Sequence, residues 1–227
     1  MLDLLRQQTL AGKPMLRAKS ILIADDHDVV RSGLRSILES HDGWEVVAEA
    51  DNGKDAIALA VEKSPNVAIV DYSLPLINGI EVARNIKVRR VDTEVLIFTM
   101  HDSDVLVREA FQAGARAFLL KSDARQHLMA AVESLINHRP FFTGNISEKM
   151  LASYLSLNDG PKVVLSPREK NVIQLISEGY SNKGMSRVLN LSVKTIETHR
   201  ASAMRKLSVN STAELVRYAI RNMLIEP

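Results

Sequence analysis

Between residues 20 and 120 the apolar positions fall into five short runs, "SILIA", "WEVVAEA", "NVAIV", "EVLIF" and "ARAFLL". Each is followed by a stretch whose apolar residues recur every three or four positions. Short runs bounded by polar residues read as strands, and the stretches between them as amphipathic helices. Strands alternating with helices imply a parallel sheet covered on both faces. From about residue 138 to 165 the pattern breaks, with turn-rich "HRPFFTGN" and "LNDGPK". Between them "ISEKMLASYL" reads as a short helix, with Asn145 and Glu148 spaced as a capping box.

After residue 165 strands disappear and helix starts follow in quick succession. "SPRE" offers Ser166 as cap, Pro167 at the first helical position and Glu169 three after the cap. Ser192 can cap the stretch beginning "VKTIETHR", and Ser211 with Glu214 has capping-box spacing. The spacing predicts four helices, at about 167–178, 181–189, 193–207 and 211–225.

Charge divides the chain the same way. The net charge of +2 conceals 14 Lys/Arg against 19 Asp/Glu in residues 15–137, and 11 against 5 in residues 160–227. A basic last part suggests a polyanionic partner. The 227 residues therefore divide into an N-terminal extension at 1–17, an α/β domain at 18–138, a linker at 139–162 and an all-α domain at 163–227. Met15, five residues before the first strand, is a candidate native start. Cysteine is absent, which excludes disulfides and thiolate metal sites and suits a reducing cytoplasm. No apolar run is long enough to span a bilayer.

The run "VAIV" ends on Asp71, and ending a buried strand on an anion costs free energy unless a partner waits there. The first strand ends on Asp25 and Asp26, the fourth on Thr99 and the fifth on Lys121. The carboxyl ends of strands in an open parallel sheet lie along one edge, where ligands bind. Asp25 or Asp26 alone is commonly just a helix cap. Three carboxylates, a hydroxyl and an ammonium from four strands make a site. Oxygen-only ligands suit Mg²⁺, and a carboxylate is a competent nucleophile towards phosphorus. Lys121, Thr99 and the metal would hold the phosphoryl oxygens.

Residues 18 to 138 resemble the receiver domain of bacterial two-component response regulators, through "IADDHDVVR", "VDYSLPLINGIE", "FTMHD" and "GARAFLLKSD". The resemblance implies a flavodoxin-like five-stranded fold in which Asp71 accepts phosphate from a histidine kinase. It implies that Asp26, Asp71 and the Ser73 backbone carbonyl bind Mg²⁺, with Asp25 acting through water. Thr99 and Phe118 match the switch pair, a hydroxyl that turns towards the phosphoryl group and a ring that follows inward. Asn78 stands where many relatives carry Asp. His27 and His101 are expected at the pocket rim, and Trp44 in the core or at its edge.

The helices at 181–189 and 193–207, joined by "NLS", have the spacing of a helix-turn-helix. Ile196, Ala203 and Leu207 share one face and should pack inward. Lys194, Thr198, Ala201 and Arg205 share the other, flanked by Glu197 and Ser202. Ser181, Asn182, Lys183, Lys194, Arg200 and Arg205 are candidate phosphate contacts. Glu197 could accept from cytosine and the Thr198 methyl could touch thymine, with Thr195 beside them. Residues 163 to 225 resemble the LuxR-type DNA-binding domain of NarL/FixJ response regulators, through "LSPREKNVIQLISEGYSNKGMSRVLNLSVKTIETHRASAMRKL" and "AELVRYAIR". That resemblance implies base contacts from Glu197, Thr198 and Ala201, and a dimer contact through the fourth helix. Ala201 departs from the longer polar residues often found there, and Gly184, three after Ser181 as helix cap, departs from the usual helix formers.

The expected protein is a cytoplasmic DNA-binding regulator, not an enzyme. Phosphorylation would promote dimerisation on an imperfect inverted repeat read in the major groove. A small-molecule phosphatase is disfavoured, because haloacid-dehalogenase-like enzymes carry a second Asp two residues after the nucleophile, where this chain has Ser73. The alternative is a phosphorylation-independent regulator with a degenerate receiver.

Overall fold

The structure is a computed structural model, and it describes residues 18–144, 146–148 and 165–221. The proposed start at Met15 and most of the short helix expected around residue 150, Asn145 included, lie outside the described residues.

Five strands form one parallel sheet in the order β2-β1-β3-β4-β5. They are β1 (Lys19–Ala24), β2 (Trp44–Ala50), β3 (Val67–Asp71), β4 (Glu94–Thr99) and β5 (Ala117–Leu120). The helices between them are α1 (Asp28–Glu39), α2 (Gly53–Lys63), α3 (Gly79–Val88) and α4 (Asp104–Ala113), with α5 (Ala124–Ile136) after β5. The fifth strand starts at residue 117, two later than its apolar run suggested. Ala115 is spent instead on closing α4, where its N–H reaches the Ala110 carbonyl across the left-handed Gly114.

Strand periodicity sorts the core into two layers. Leu22, Ala24, Ala68, Val70, Ile97 and Phe118 face α2, α3 and α4, whereas Ile21, Ile23, Ile69, Leu96, Phe98 and Leu119 face α1 and α5. With helices on both faces, every residue of β3 is buried, which is why its sequence runs apolar without alternation. Each large aliphatic side chain so buried contributes about 1.5–3 kcal/mol. Packing continues past residue 138. The Phe141 N–H bonds the Arg116 carbonyl, Phe142 lies against Phe111, and Ile146 is in the core.

The second domain comprises α6 (Pro167–Ser177), α7 (Asn182–Leu189), α8 (Val193–Leu207) and α9 (Thr212–Arg221). The starts follow the caps read from sequence. Ser166 and Glu169 form a full capping box, Ser181 accepts from the Gly184 N–H, and Ser192 accepts from the Thr195 N–H. At the last helix Glu214 reaches the Asn210 N–H instead of closing a box on Ser211. Val172, Ile173, Met185, Ile196, Ala203 and Leu215 make the core. Helix α6 is buried nearly all round, Asn171 and Gln174 included, because the receiver-like domain covers the side that the helical core leaves open.

Candidate functional site

Sheet register assembles the first site. Ala24 pairs with Val70, so the next residue of each strand end, Asp25 and Asp71, emerge side by side. Thr99 pairs with Leu120, which brings Lys121 to the same edge. Lys121 itself opens a short 3-10 turn rather than ending the strand. Its Nζ lies 2.8 Å from Asp25 Oδ2 and 3.2 Å from Asp71 Oδ2. Asp25 and Asp71 are almost wholly buried, whereas Asp26 is exposed. Ligand atoms of Asp25, Asp26, His27 and Asp71 all lie within 4.8 Å of one another.

Burial pushes the Asp71 carboxyl up to about 6; Lys121 pulls it down and Asp25 pushes it further up. Burial opposes the Lys121 charge, but the Asp25 and Asp71 carboxylates outweigh it and raise its pKa above the ordinary value. Three carboxylates against one ammonium leave uncompensated negative charge. Hard oxygen donors around such a deficit fit Mg²⁺. The imidazole of His27 occupies part of that space, with Nδ1 at 2.8 Å from Asp26 Oδ1 and 3.3 Å from Asp25 Oδ1. It is the weakest match to a hard cation in the set, and its ring is half-exposed.

Thr99 is fully buried at the tip of β4, and its Oγ1 accepts the His101 N–H at 3.1 Å, leaving its own proton to donate. Phe118 is fully buried, its ring packed inward among α2, α3 and α4 residues. His101 stands at the rim, with Nε2 3.2 Å from Ser73 Oγ and its ring edge-on to Tyr72. Asn78 caps α3 by accepting the Glu81 N–H. Sequence reading passed over Gly79. A Cβ there would stand 2.2 Å from the Asp71 carbonyl oxygen, so only glycine lets α3 start directly against the β3 end.

The second site is the outer face of α8. Lys194, Glu197, Thr198, Ala201 and Arg205 are exposed there, while Ile196 and Ala203 are fully buried and Leu207 partly so. Other candidates are already engaged. Asn182 Nδ2 donates to Glu197 Oε1 at 3.3 Å, Thr195 shares a hydrogen bond with Ser192, and Arg200 donates to Thr212 Oγ1 at 2.7 Å. Ser181 and Lys183 sit exposed at the start of α7. Ser202, expected to flank the outer face, turns inward to Glu169 Oε1 at 2.7 Å. Its hydroxyl serves one oxygen of a buried carboxylate, a donor that a groove-facing position would take away.

The two domains touch through the loop after β3. Leu76 packs against the helical core with a left-handed backbone, φ +67°. Gln174 Nε2 donates to the Leu74 carbonyl at 2.9 Å, the Glu178 carboxylate accepts the Leu76 N–H, and Lys170 pairs with Glu109 of α4. None of these residues carried a sequence signal for an interdomain role.

Two family models match the chain: the response regulator receiver domain over residues 21–133, and the bacterial regulatory proteins of the luxR family over 163–219. The chain is 33% identical over 207 residues to the response regulator UvrY of Escherichia coli K12, covering 90% of this chain and 95% of that one. It is 34% identical over 215 residues to the oxygen regulatory protein NreC of Staphylococcus epidermidis, covering 91% and 99%. Its fold matches RcsB of Salmonella enterica serovar Typhimurium, solved bound to promoter rprA in the presence of phosphomimetic BeF3-. That match has a TM-score of 0.62 and 27% identity, over 88% of this chain and 98% of that one.

Proposed function

The chain belongs to the two-component response regulators of the NarL/FixJ type, a receiver joined to a LuxR-type DNA-binding domain, and on that premise we propose that phosphorylation of Asp71 controls its binding to DNA as a dimer. The observation that carries the reading is the buried Asp71 carboxylate, 3.2 Å from the Lys121 ammonium and flanked by Asp25.

At neutral pH a carboxyl with its pKa near 6 is mostly ionised and can act as the nucleophile. An Asp71 oxygen bonds phosphorus as the P–N bond of a phosphohistidine donor breaks, and the departing imidazole nitrogen takes a proton. Asp25, Asp26, Asp71 and the Ser73 backbone carbonyl would hold Mg²⁺, which supplies charge neutralisation at the phosphoryl oxygens. Lys121 balances the remaining charge, and the Thr99 proton has an acceptor once a phosphoryl oxygen is present. Phe118 lies in the same core layer as Leu106 and Val107 of α4, so a moving Thr99 side chain can be felt on the outer surface.

The DNA contacts come from α8. Lys194 and Arg205, with Ser181, Asn182 and Lys183 of the α7 start, would position the domain on phosphates. Glu197, Thr198 and Ala201 would face base edges in the major groove, with Thr195 beside them. Arg200 is tied to Thr212 and would hold α9 to the reading helix. Two half-sites bound by a dimer raise affinity through effective concentration, without a new base contact. RcsB bound to promoter DNA supports this reading. The chain thus acts as a regulator rather than an enzyme, its partners a histidine kinase and duplex DNA in the cytoplasm. Among the described residues no helix is long and apolar enough to cross a membrane.

The test treats wild type and Asp71→Asn with acetyl phosphate and Mg²⁺, reading intact mass and binding to the chain's own upstream DNA on the same samples. A phosphoryl mass gain with tighter binding, both lost in the variant, is the expected result. Wild type without a mass gain, where a control receiver is modified, would return the reading to a degenerate receiver.

A further inference from the structure

A crevice of about 810 Å³ opens between α2 and α3 of the receiver and the α6 start and α7 end of the DNA-binding domain. Its volume is that of a small-molecule site. Apolar residues floor it, among them Val61 and Val88, which are 43% and 74% exposed. Of the four cations that line it, Lys54, Arg89 and Arg168 are in no ion pair among the described residues, and the fourth is Arg84. The one carboxylate in the lining, Glu81, is already paired with Arg84 at 3.0 Å. Asn171 also lines the crevice; its side chain is buried, and its Oδ1 has no hydrogen-bond partner among the described residues.

We propose that this crevice binds a small amphipathic organic anion, an apolar body carrying a carboxylate, sulfonate or phosphate and one N–H or O–H donor. The anion answers the unpaired cations, the apolar body covers Val61 and Val88, and the donor satisfies Asn171 Oδ1. A DNA backbone does not fit this chemistry. Its phosphates only accept hydrogen bonds, so they leave Asn171 Oδ1 as it is, and they gain nothing from an apolar floor. Because both domains supply walls, the ligand binds the docked arrangement and favours it by mass action. This proposal does not depend on phosphorylation.

The test titrates the full chain with anilinonaphthalene sulfonate, which has two aromatic systems, a sulfonate and one N–H. The comparison is the double variant Arg89→Ser with Arg168→Ser, both positions exposed and outside either core. Binding of one probe per chain is expected, weakened about tenfold or more in the double variant because two charge-assisted contacts are gone. The uncharged N-phenylnaphthylamine should bind both proteins alike. Unchanged probe binding in the double variant overturns the proposal. So does a double variant that loses affinity for random duplex DNA alone, which would assign these cations to the nucleic-acid surface.

Discussion

The Glu178 carboxylate meets the Leu76 backbone N–H with both oxygens, at 3.2 and 3.3 Å, across the boundary between the two domains. Leu76 lies five residues beyond Asp71 and holds a left-handed φ of +67°, a conformation that costs a non-glycine residue about 1 kcal/mol or more. Helix α6 therefore grips the loop that leaves the phosphoryl-acceptor strand. Gln174 tightens the grip by donating to both Leu74 O and Glu178 Oε1.

Replacing Glu178 by Ala removes both acceptors from an exposed rim. Docking of the domains should weaken by about 1 kcal/mol, the net worth of a partly solvated hydrogen bond. Small-angle scattering should show a larger radius of gyration than wild type, with unchanged melting of each domain. An identical scattering profile would show that Leu76 packing and the Lys170–Glu109 pair hold the domains without it.

Asp71→Asn should stabilise the protein in metal-free buffer. The folded-state pKa of about 6 lies above the ordinary 3.8, so the folded state binds the proton more tightly than the unfolded chain. Wild type accordingly loses stability as pH rises from about 4 to 6 and carries the full penalty above 6. The variant escapes it by about 3 kcal/mol at pH 7. Thermal melts from pH 4 to 8 check this: the advantage should vanish near pH 4, and Mg²⁺ should narrow it at pH 7.

Glu169 has the opposite sign. Burial disfavours its charge, yet hydrogen bonds from Lys206, the Ser166 N–H and Ser202 outweigh that and hold its pKa at about 2, below the ordinary 4.5. Its stabilisation is complete above about pH 4.5 and is lost as pH falls towards 2, on the order of 3 kcal/mol in all. Glu169→Gln should lower the melting temperature of the DNA-binding domain at pH 7 and flatten its decline between pH 5 and 3. A parallel decline in both proteins would show that other carboxylates carry the acid sensitivity.

Gly184→Glu should raise the melting temperature of the DNA-binding domain. A helix former in place of glycine gains about 1 kcal/mol, and Glu three after Ser181 can close a capping box. The added Cβ meets Tyr180 Cδ1 at 3.1 Å, but that ring is partly exposed and can yield. A lower melting temperature would mean that Tyr180 cannot move.

Lys194→Ala and Glu197→Ala should separate positioning from reading. The first should weaken binding about equally on every sequence and reduce the slope of log affinity against log salt by about 1. The second should change relative affinities among operator variants and leave that slope almost unchanged. Both are read by fluorescence anisotropy at several salt concentrations.

Local sequence was enough for elements whose signal lies within a few residues. Five apolar runs became five strands, and β3 runs apolar throughout because a strand covered on both faces needs no polar partner positions. Ser166, Ser181 and Ser192 started their helices because a cap acts over one turn. Asp25, Asp71, Thr99 and Lys121 were legible as a group because parallel strands expose their carboxyl ends on one edge, so topology alone brings distant strand ends together.

Tertiary structure decided what depends on which surfaces meet. The need for glycine at position 79 follows from how closely α3 approaches the Asp71 carbonyl, a distance no spacing rule contains. Ser202 turned inward because Glu169, 33 residues earlier, is a buried charge that needs donors. Gln174 and Glu178 look like solvated positions on an amphipathic helix, yet they hold the receiver loop, and Asn171 is buried beside the crevice. Patterning within one helix records only whether a face is apolar. Which backbone polar groups another domain presents to that face is set by packing between segments about a hundred residues apart.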